Sequence, residues 1–238
     1  MDSSSCCKIN INLASCKSLK FLRLERTEIT EEWFRNQQVS EFVSLETLIL
    51  RSYKISTRNM CIRSENLKCL ELKLCADPFV NIDISVPGLK KFVYGPGTSA
   101  FYHIKMTGCK FLKILELTEV KVTDRLIPDK LRKLITLEKL KFFRCDFMLS
   151  NPVKLYLENL ISLELRGMYC RAESFEVESP NLVSMSYSGY LMPSPQIIAI
   201  PSNAHINADI RSDCYNIERL AGVPQLFWSL QRSVSQLF

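Results

Sequence analysis

The sequence predicts an α/β solenoid of about eight irregular coils. Three observations carry that expectation: a leucine frame recurring along the 238 residues, alternating apolar segments between its copies, and few breaking residues. The frame is clearest in "TLEKLKFFRCDF" (Thr136–Phe147), which reads L-x-x-L-x-L-x-x-C-x-L through Leu137, Leu140, Phe142, Cys145 and Phe147.

The same frame begins at Leu19, Leu45, Leu67, Leu89, Leu112, Leu160 and Leu182, so successive copies start 26, 22, 22, 23, 25, 23 and 22 residues apart. That spacing falls in the leucine-rich-repeat period of about 20–29 residues. Its L-x-L core alternates with period two, the signature of a short strand with one buried face. One such unit has nothing to bury that face against, so the coils must stack and their strands must align into a parallel concave sheet.

The return segments divide into two kinds. After the first strand, "TEEWFRNQQVSEFV" has Thr30 as an N-cap, acids in the first turn and Trp33, Phe34 and Phe42 for a buried face, so it reads as helix. "IPDKLRKLI" reads the same way, with Pro128 at the first helical position. By contrast "VNIDISVPGL", "FYHIKMTGC", "VKLYLENL" and "SFEVESPNL" alternate and predict short convex strands, with Pro87-Gly88 and Pro180-Asn181 turning the chain back.

The ends depart from the frame. "KININL" alternates like a return strand, so residues 1–18 read as an incomplete first coil, before a solenoid over 19–203. Ala204, Ile206, Ala208 and Ile210 alternate as one more strand, and a helical stretch broken near Pro224 follows. Residues 204–238 therefore form a C-terminal strand and helical cap within a single domain.

The composition, 47% hydrophobic and 24% charged, is that of a globular chain. Net charge is +6, with 31 basic and 25 acidic residues interleaved, which argues against a nucleic-acid-binding stripe. No apolar run is long enough for a membrane span, the N-terminus lacks a secretory pattern, and no N-x-[ST] sequon occurs. The ten cysteines then read as thiols of a reducing compartment, placing the chain in the cytoplasm or nucleus.

"SLKFLRLERTEI", "VSLETLIL", "ENLKCLELKLC", "SVPGLKKFVYGPG" and "SPNLVSMSYSGY" together resemble the leucine-rich part of plant F-box proteins, over roughly residues 9–210. The resemblance implies a substrate-recognition solenoid of a cullin–RING ubiquitin ligase. Its Skp-type adaptor would dock on an F-box, and no such segment is read before "KININL". The adaptor is therefore a partner only if an F-box lies upstream. Intracellular plant immune receptors and other scaffolds use similar repeats, and a repeat fragment of that kind is the alternative.

No enzyme constellation emerges, and no cofactor or metal ligand set. No CxxC pair exists, and Cys6-Cys7 are adjacent, a poor chelating geometry. Cys145 and Cys75 occupy the ladder position of the frame, while Cys16 and Cys109 stand three residues before a first leucine; all four are expected to pack as small buried hydrophobes. His103 and His205 lack the neighbours of a triad or zinc site, and "GPG" at Gly95–Gly97 lacks the following Lys-Ser/Thr of a phosphate loop.

The surface is what remains. Residues alternating with the leucines point out of the concave sheet. The first strands present Phe21, Arg23 and Glu25; then Ile49 and Arg51; Glu71 and Lys73; Lys91; and Ile114 and Glu116. The later ones present Lys139, Lys141 and Phe143, then Glu164 and Arg166. Apolar side chains set between opposite charges suit a protein interface. The expected function is thus non-catalytic protein binding, with a protein ligand or degradation substrate on the concave face and neither nucleic acid nor membrane as partner.

Overall fold

The computed structural model describes residues 7–8, 16–29, 43–55, 59–76, 79–95, 101–123, 131, 134–148, 153–170, 175–190, 196–198 and 204–211. The chain forms two compact units, Met1–Lys121 and Val122–Phe238. Each is a parallel β-solenoid whose coils are about 22 residues long, as the register of Thr47 on Cys69 and of Ser162 on Ser184 illustrates.

In the first unit the strands are β1 (Cys7–Lys8), β2 (Phe21–Glu25), β3 (Thr27–Ile29), β4 (Thr47–Ile55) and β5 (Asn59–Arg63). They continue with β6 (Cys69–Ala76), β7 (Phe79–Ser85), β8 (Lys91–Gly95), β9 (Phe101–Thr107) and β10 (Ile114–Thr118). Five of them, β2-β4-β6-β8-β10, form a parallel ladder in which Phe21, Thr47, Cys69, Lys91 and Ile114 stand side by side. On the opposite side β5, β7 and β9 form a second parallel sheet.

β11 (Lys121–Thr123) comes at the boundary of the units. In the second unit follow β12 (Lys139–Phe143), β13 (Asp146–Met148), β14 (Val153–Tyr156) and β15 (Ser162–Cys170). The last are β16 (Phe175–Glu178), β17 (Ser184–Tyr190), β18 (Gln196–Ile198) and β19 (His205–Arg211). Here β12-β15-β17-β19 make the ladder and β14-β16-β18 the return sheet.

Every repeat of the frame therefore starts a ladder strand where the alternation predicts one, and the four alternating return segments fall on β7, β9, β14 and β16. The helical returns expected near Trp33 and after Pro128 lie outside the described residues, apart from Leu131, which is buried. The C-terminal helical stretch and most of "KININL" lie outside them too. Lys8, the described residue of that segment, joins Cys7 in pairing with β3 on the ladder side.

The cores consist of the frame positions. Leu45, Leu48, Leu50, Leu67, Leu70, Leu72, Leu89, Phe92 and Tyr94 are all wholly buried in the first unit. Leu140, Leu160, Leu163 and Leu165 are so in the second. Phe142 and Phe147, two positions of one frame copy, meet edge-on with ring centroids 5.1 Å apart. Each large side chain buried this way contributes roughly 1.5–3 kcal/mol against the ordering cost.

Two main-chain devices repeat with the coil. At the start of six of the described ladder strands one carbonyl accepts two N–H groups from the next coil. Lys20 O takes Glu46 N and Thr47 N, Glu46 O takes Lys68 N and Cys69 N, and Lys68 O takes Lys90 N and Lys91 N, all at 2.8–3.0 Å. At the end of the strand the chain kinks through a left-handed residue seven positions after the first leucine: Arg26 (φ 54°), Glu119 (φ 57°), Arg144 (φ 52°) and Gly167 (φ 62°). Arg26 N donates to Arg51 O and Arg144 N to Arg166 O, at 2.8 and 2.7 Å, so the kink ties each coil to the next. Beyond it, β3 and β13 run as second short strands beside the ends of β4 and β15.

Side chains lock the turns before the first leucines. Asn159 Nδ2 donates to Ile135 O at 2.7 Å and Asn181 Nδ2 to Glu158 O at 2.9 Å, each bridging to the preceding coil. Three residues before a first leucine, Ser64, Val86, Cys109, Leu134, Leu157 and Ser179 are buried. Ser64 Oγ accepts Asn66 N and Leu67 N, and Ser179 Oγ donates to the carbonyl pair Leu157 and Leu160. Burial there is compatible with a hydroxyl because local main-chain groups satisfy it.

Candidate protein-binding face

Cys145 is fully buried with Sγ 3.6 Å from Phe143 O, and Cys109 is buried with Sγ 3.9 Å from Thr107 O. Burial pushes the Cys109 thiol above its ordinary pKa. Cys16 does not follow them: it is exposed. It stands at the first coil, ahead of the first described return strand, and among the described residues no neighbouring coil covers it. The side chains of Cys75 and His103 lie outside the described set, and His205 is exposed on β19. Among the described residues no group of three His, Cys, Asp or Glu side chains is arranged to hold a metal ion, and no helix is long and apolar enough to cross a membrane.

On the first unit's ladder the structure brings Phe21, Arg23, Glu25, Ile49, Arg51, Glu71, Lys73, Lys91, Ile114 and Glu116 onto one face. Their leucine neighbours point inward. The three register rows are Phe21-Thr47-Cys69-Lys91-Ile114, Arg23-Ile49-Glu71-Val93-Glu116 and Glu25-Arg51-Lys73-Gly95, the last with Thr118 beside Gly95. Val93 departs from its outward position by being only 5% exposed. It stands in register between Glu71 and Glu116, which pair with Arg51 and Lys91 respectively. Gly95 is buried as well: a Cβ there would stand 3.3 Å from Thr118 Cβ.

The charges of this face are joined to one another. Arg51 lies between two acids, with Nη2 2.7 Å from Glu71 Oε1 and Nη1 3.1 Å from Glu25 Oε1. Arg23 Nη2 donates to Glu25 Oε1 at 2.6 Å, and Lys91 Nζ is 3.5 Å from Glu116 Oε1. The hydrogen bond from Arg23, with the charges of Arg23 and Arg51, holds the Glu25 carboxyl below the ordinary range. The hydrogen bond to Glu71 raises Arg51 further. Phe21 escapes this network and is 54% exposed.

In the second unit Lys139, Lys141, Phe143, Glu164 and Arg166 share the ladder face. Glu164 takes both Lys141 Nζ at 2.8 Å and Arg166 Nη2 at 3.3 Å. Phe143 is 42% exposed, with the Arg144 guanidinium 5.1 Å from its ring centroid. The rows continue through Ser162, Ser184 and Ser186, which alternate with the frame positions of their strands, and on into β19 through His205 and Asn207, which the sequence did not single out. Ser184 Oγ donates to Ser162 Oγ at 3.0 Å, and His205 and Asn207 of β19 stand exposed beside Ser184 and Ser186. Their alternation in "HINADI" was the available signal.

A second group escaped sequence reading altogether. The residue directly after each first leucine lies on the rim of the ladder, and in the first unit it is Lys20, Glu46, Lys68, Lys90 and Lys113. One such residue every 22–26 positions is invisible as a charge run. Only the register gathers them.

No protein-family model matches the chain, and searches of curated proteins and of solved structures find no match either.

Proposed function

We propose that the chain is a non-catalytic protein-recognition module of the leucine-rich-repeat kind, the substrate-holding repeats of an F-box-type ubiquitin-ligase receptor. The observation that supports it most is the ladder face of each unit, where an exposed aromatic, Phe21 or Phe143, stands among ion-paired Arg, Lys and Glu. Such a face offers apolar area for a partner to bury and charges that fix its orientation. The F-box link rests on the sequence resemblance, and a Skp-type adaptor is a partner only through an F-box upstream. Five free thiols among the described residues suit the reducing cytoplasm or nucleus.

The test is capture from plant extract by the wild-type chain, by Phe21→Ala and Phe143→Ala/Lys141→Glu proteins, and by a return-sheet control, Lys105→Glu. A partner captured by wild type and control but lost from a ladder-face variant is the expected result. Identical captured sets for all four proteins would refute the module reading. Co-capture of ubiquitin-ligase subunits with a chain extended by its upstream exon tests the F-box part.

A further inference from the structure

Four of the five coils of the first unit carry a lysine directly after the first leucine: Lys20, Lys68, Lys90 and Lys113, with Glu46 in the remaining coil. The shared-carbonyl seam sets them side by side, from Lys20 O to Glu46 N, Glu46 O to Lys68 N, Lys68 O to Lys90 N and Lys90 O to Lys113 N, each bond 2.8 or 2.9 Å. With strands about 4.8 Å apart, the row runs for roughly 19 Å along one rim.

All four lysines are exposed. Glu46 meets Lys68 Nζ at 2.8 Å, and that hydrogen bond, with the charges of Lys68 and Lys20, keeps its carboxyl below the ordinary range. Lys20 and Lys90 form no ion pair among the described residues. Two positions before the first leucines, Lys17 and Lys110 add to the rim and Glu65 offsets one charge. Counted together, the rim holds six lysines against two glutamates.

Like charges on adjacent strands repel, and the seam does not require them, because its bonds are main chain to main chain. On the ladder face Arg51 and Lys91 each meet an acid, as Lys68 meets Glu46 on the rim, but on the rim lysines outnumber glutamates. In the second unit the same positions are Glu138, Ile161, Val183 and Ala204, so the row belongs to the first unit alone.

We propose that this lysine rim docks an acidic segment of a partner protein, laid across the coils. The inference rests on reading the chain as a protein-binding module and names the class of segment it takes. In an extended acidic segment, carboxylates on one side recur about every 6.6 Å, within reach of flexible lysines spaced about 4.8 Å apart. The rim also exposes Val43 and Phe111, at 62% and 61%, which suit apolar residues of the same segment. A single-stranded nucleic acid site would instead set an aromatic ring at successive steps for base stacking, and among the described residues the rim has no such series.

The experiment measures fluorescence anisotropy of labelled dodecaglutamate, its all-glutamine counterpart and a single-stranded oligothymidine, each titrated with the full chain. Lys90→Glu/Lys113→Glu reverses the rim, Lys90→Gln/Lys113→Gln neutralises it, and Arg63→Glu/Lys105→Glu, exposed on β5 and β9, is a charge-matched control on the return sheet. The glutamate peptide binds and the glutamine peptide does not. Reversal weakens binding by about tenfold or more, neutralisation by less, and the control shifts it by under about twofold. Melting curves confirm that each variant is folded. The idea is overturned by no glutamate binding, by equal weakening in the control, or by tighter oligothymidine binding with the same lysine dependence. If the rim fails while a partner is still lost from the ladder-face variants, the module reading survives alone. If rim binding holds and capture ignores the ladder face, the rim survives alone.

Discussion

Arg51 and Glu71, one coil apart, meet through two donors on one oxygen: Arg51 Nε at 2.8 Å and Nη2 at 2.7 Å from Glu71 Oε1. The same guanidinium also reaches Glu25, so removing one acid leaves Arg51 paired. Glu71→Gln should therefore cost no more than about 1 kcal/mol, a cost that shrinks in high salt. Urea melts at low and high salt measure it; a cost of several kcal/mol, unchanged by salt, would show instead that the network organises the ladder.

Stability should fall on the acid side. Glu25, through Arg23, and Glu46, through Lys68, are both held below the ordinary carboxylate value of 4.5. The unfolded chain then binds more protons in that window, so their contribution is complete above 4.5 and lost as pH falls through the lowered folded values. Melting temperatures followed downward from neutral pH should drop below about pH 5, and less steeply in Glu25→Gln/Glu46→Gln protein. An equal slope in both proteins would sink the assignment.

Thiol labelling should follow burial. Cys16 and Cys61 are exposed while Cys109 and Cys145 are buried, so a thiol reagent mapped by mass spectrometry should mark the first two and spare the others in native protein. Cys145→Ser places a hydroxyl in the same dry site, where Phe143 O can still accept from it, and should cost about 1–3 kcal/mol. Partner capture should be unchanged, and selective loss of one partner from the folded variant would contradict a packing role.

The kinks give a paired prediction. At Gly167 (φ 62°) a Cβ would also meet Arg144 Cγ at 3.2 Å, so Gly167→Ala should destabilise by about 1–2 kcal/mol. Arg26→Gly, at φ 54°, relieves the corresponding penalty and should be neutral or stabilising in the same melts. Both substitutions destabilising alike would remove the left-handed requirement as the cause.

The ladder was legible because L-x-x-L-x-L fixes both a strand and its inward face, and Leu140, Leu163 and Leu165 show it at full burial. The kinks were not legible, since Arg26, Glu119 and Arg144 carry none of the glycine signal that Gly167 does. β5 alternates in "NMCIR", where Met60 and Ile62 are buried, but five residues without a leucine frame carry only a weak strand signal. Val93 and Cys16 depart from the exposure their frame positions predict, Val93 being buried and Cys16 exposed, because burial is set by what the adjoining coils place beside a residue and the frame does not encode that. Of the candidate site, the ladder-face residues follow from alternation within a strand. The lysine rim needs alignment between coils, which a linear reading reports only as interleaved charge.

The shared-carbonyl seam also bears on how such a chain can change. Its hydrogen bonds run from one backbone to the next, as from Lys90 O to Lys113 N and Ile114 N, and make no demand on the side chain at that position. Lysine, glutamate, isoleucine, valine and alanine all occupy it here. The register that counts coils and the surface that meets the outside are thereby written in different atoms, and substitutions along the rim can alter what the molecule recognises while leaving its stacking intact.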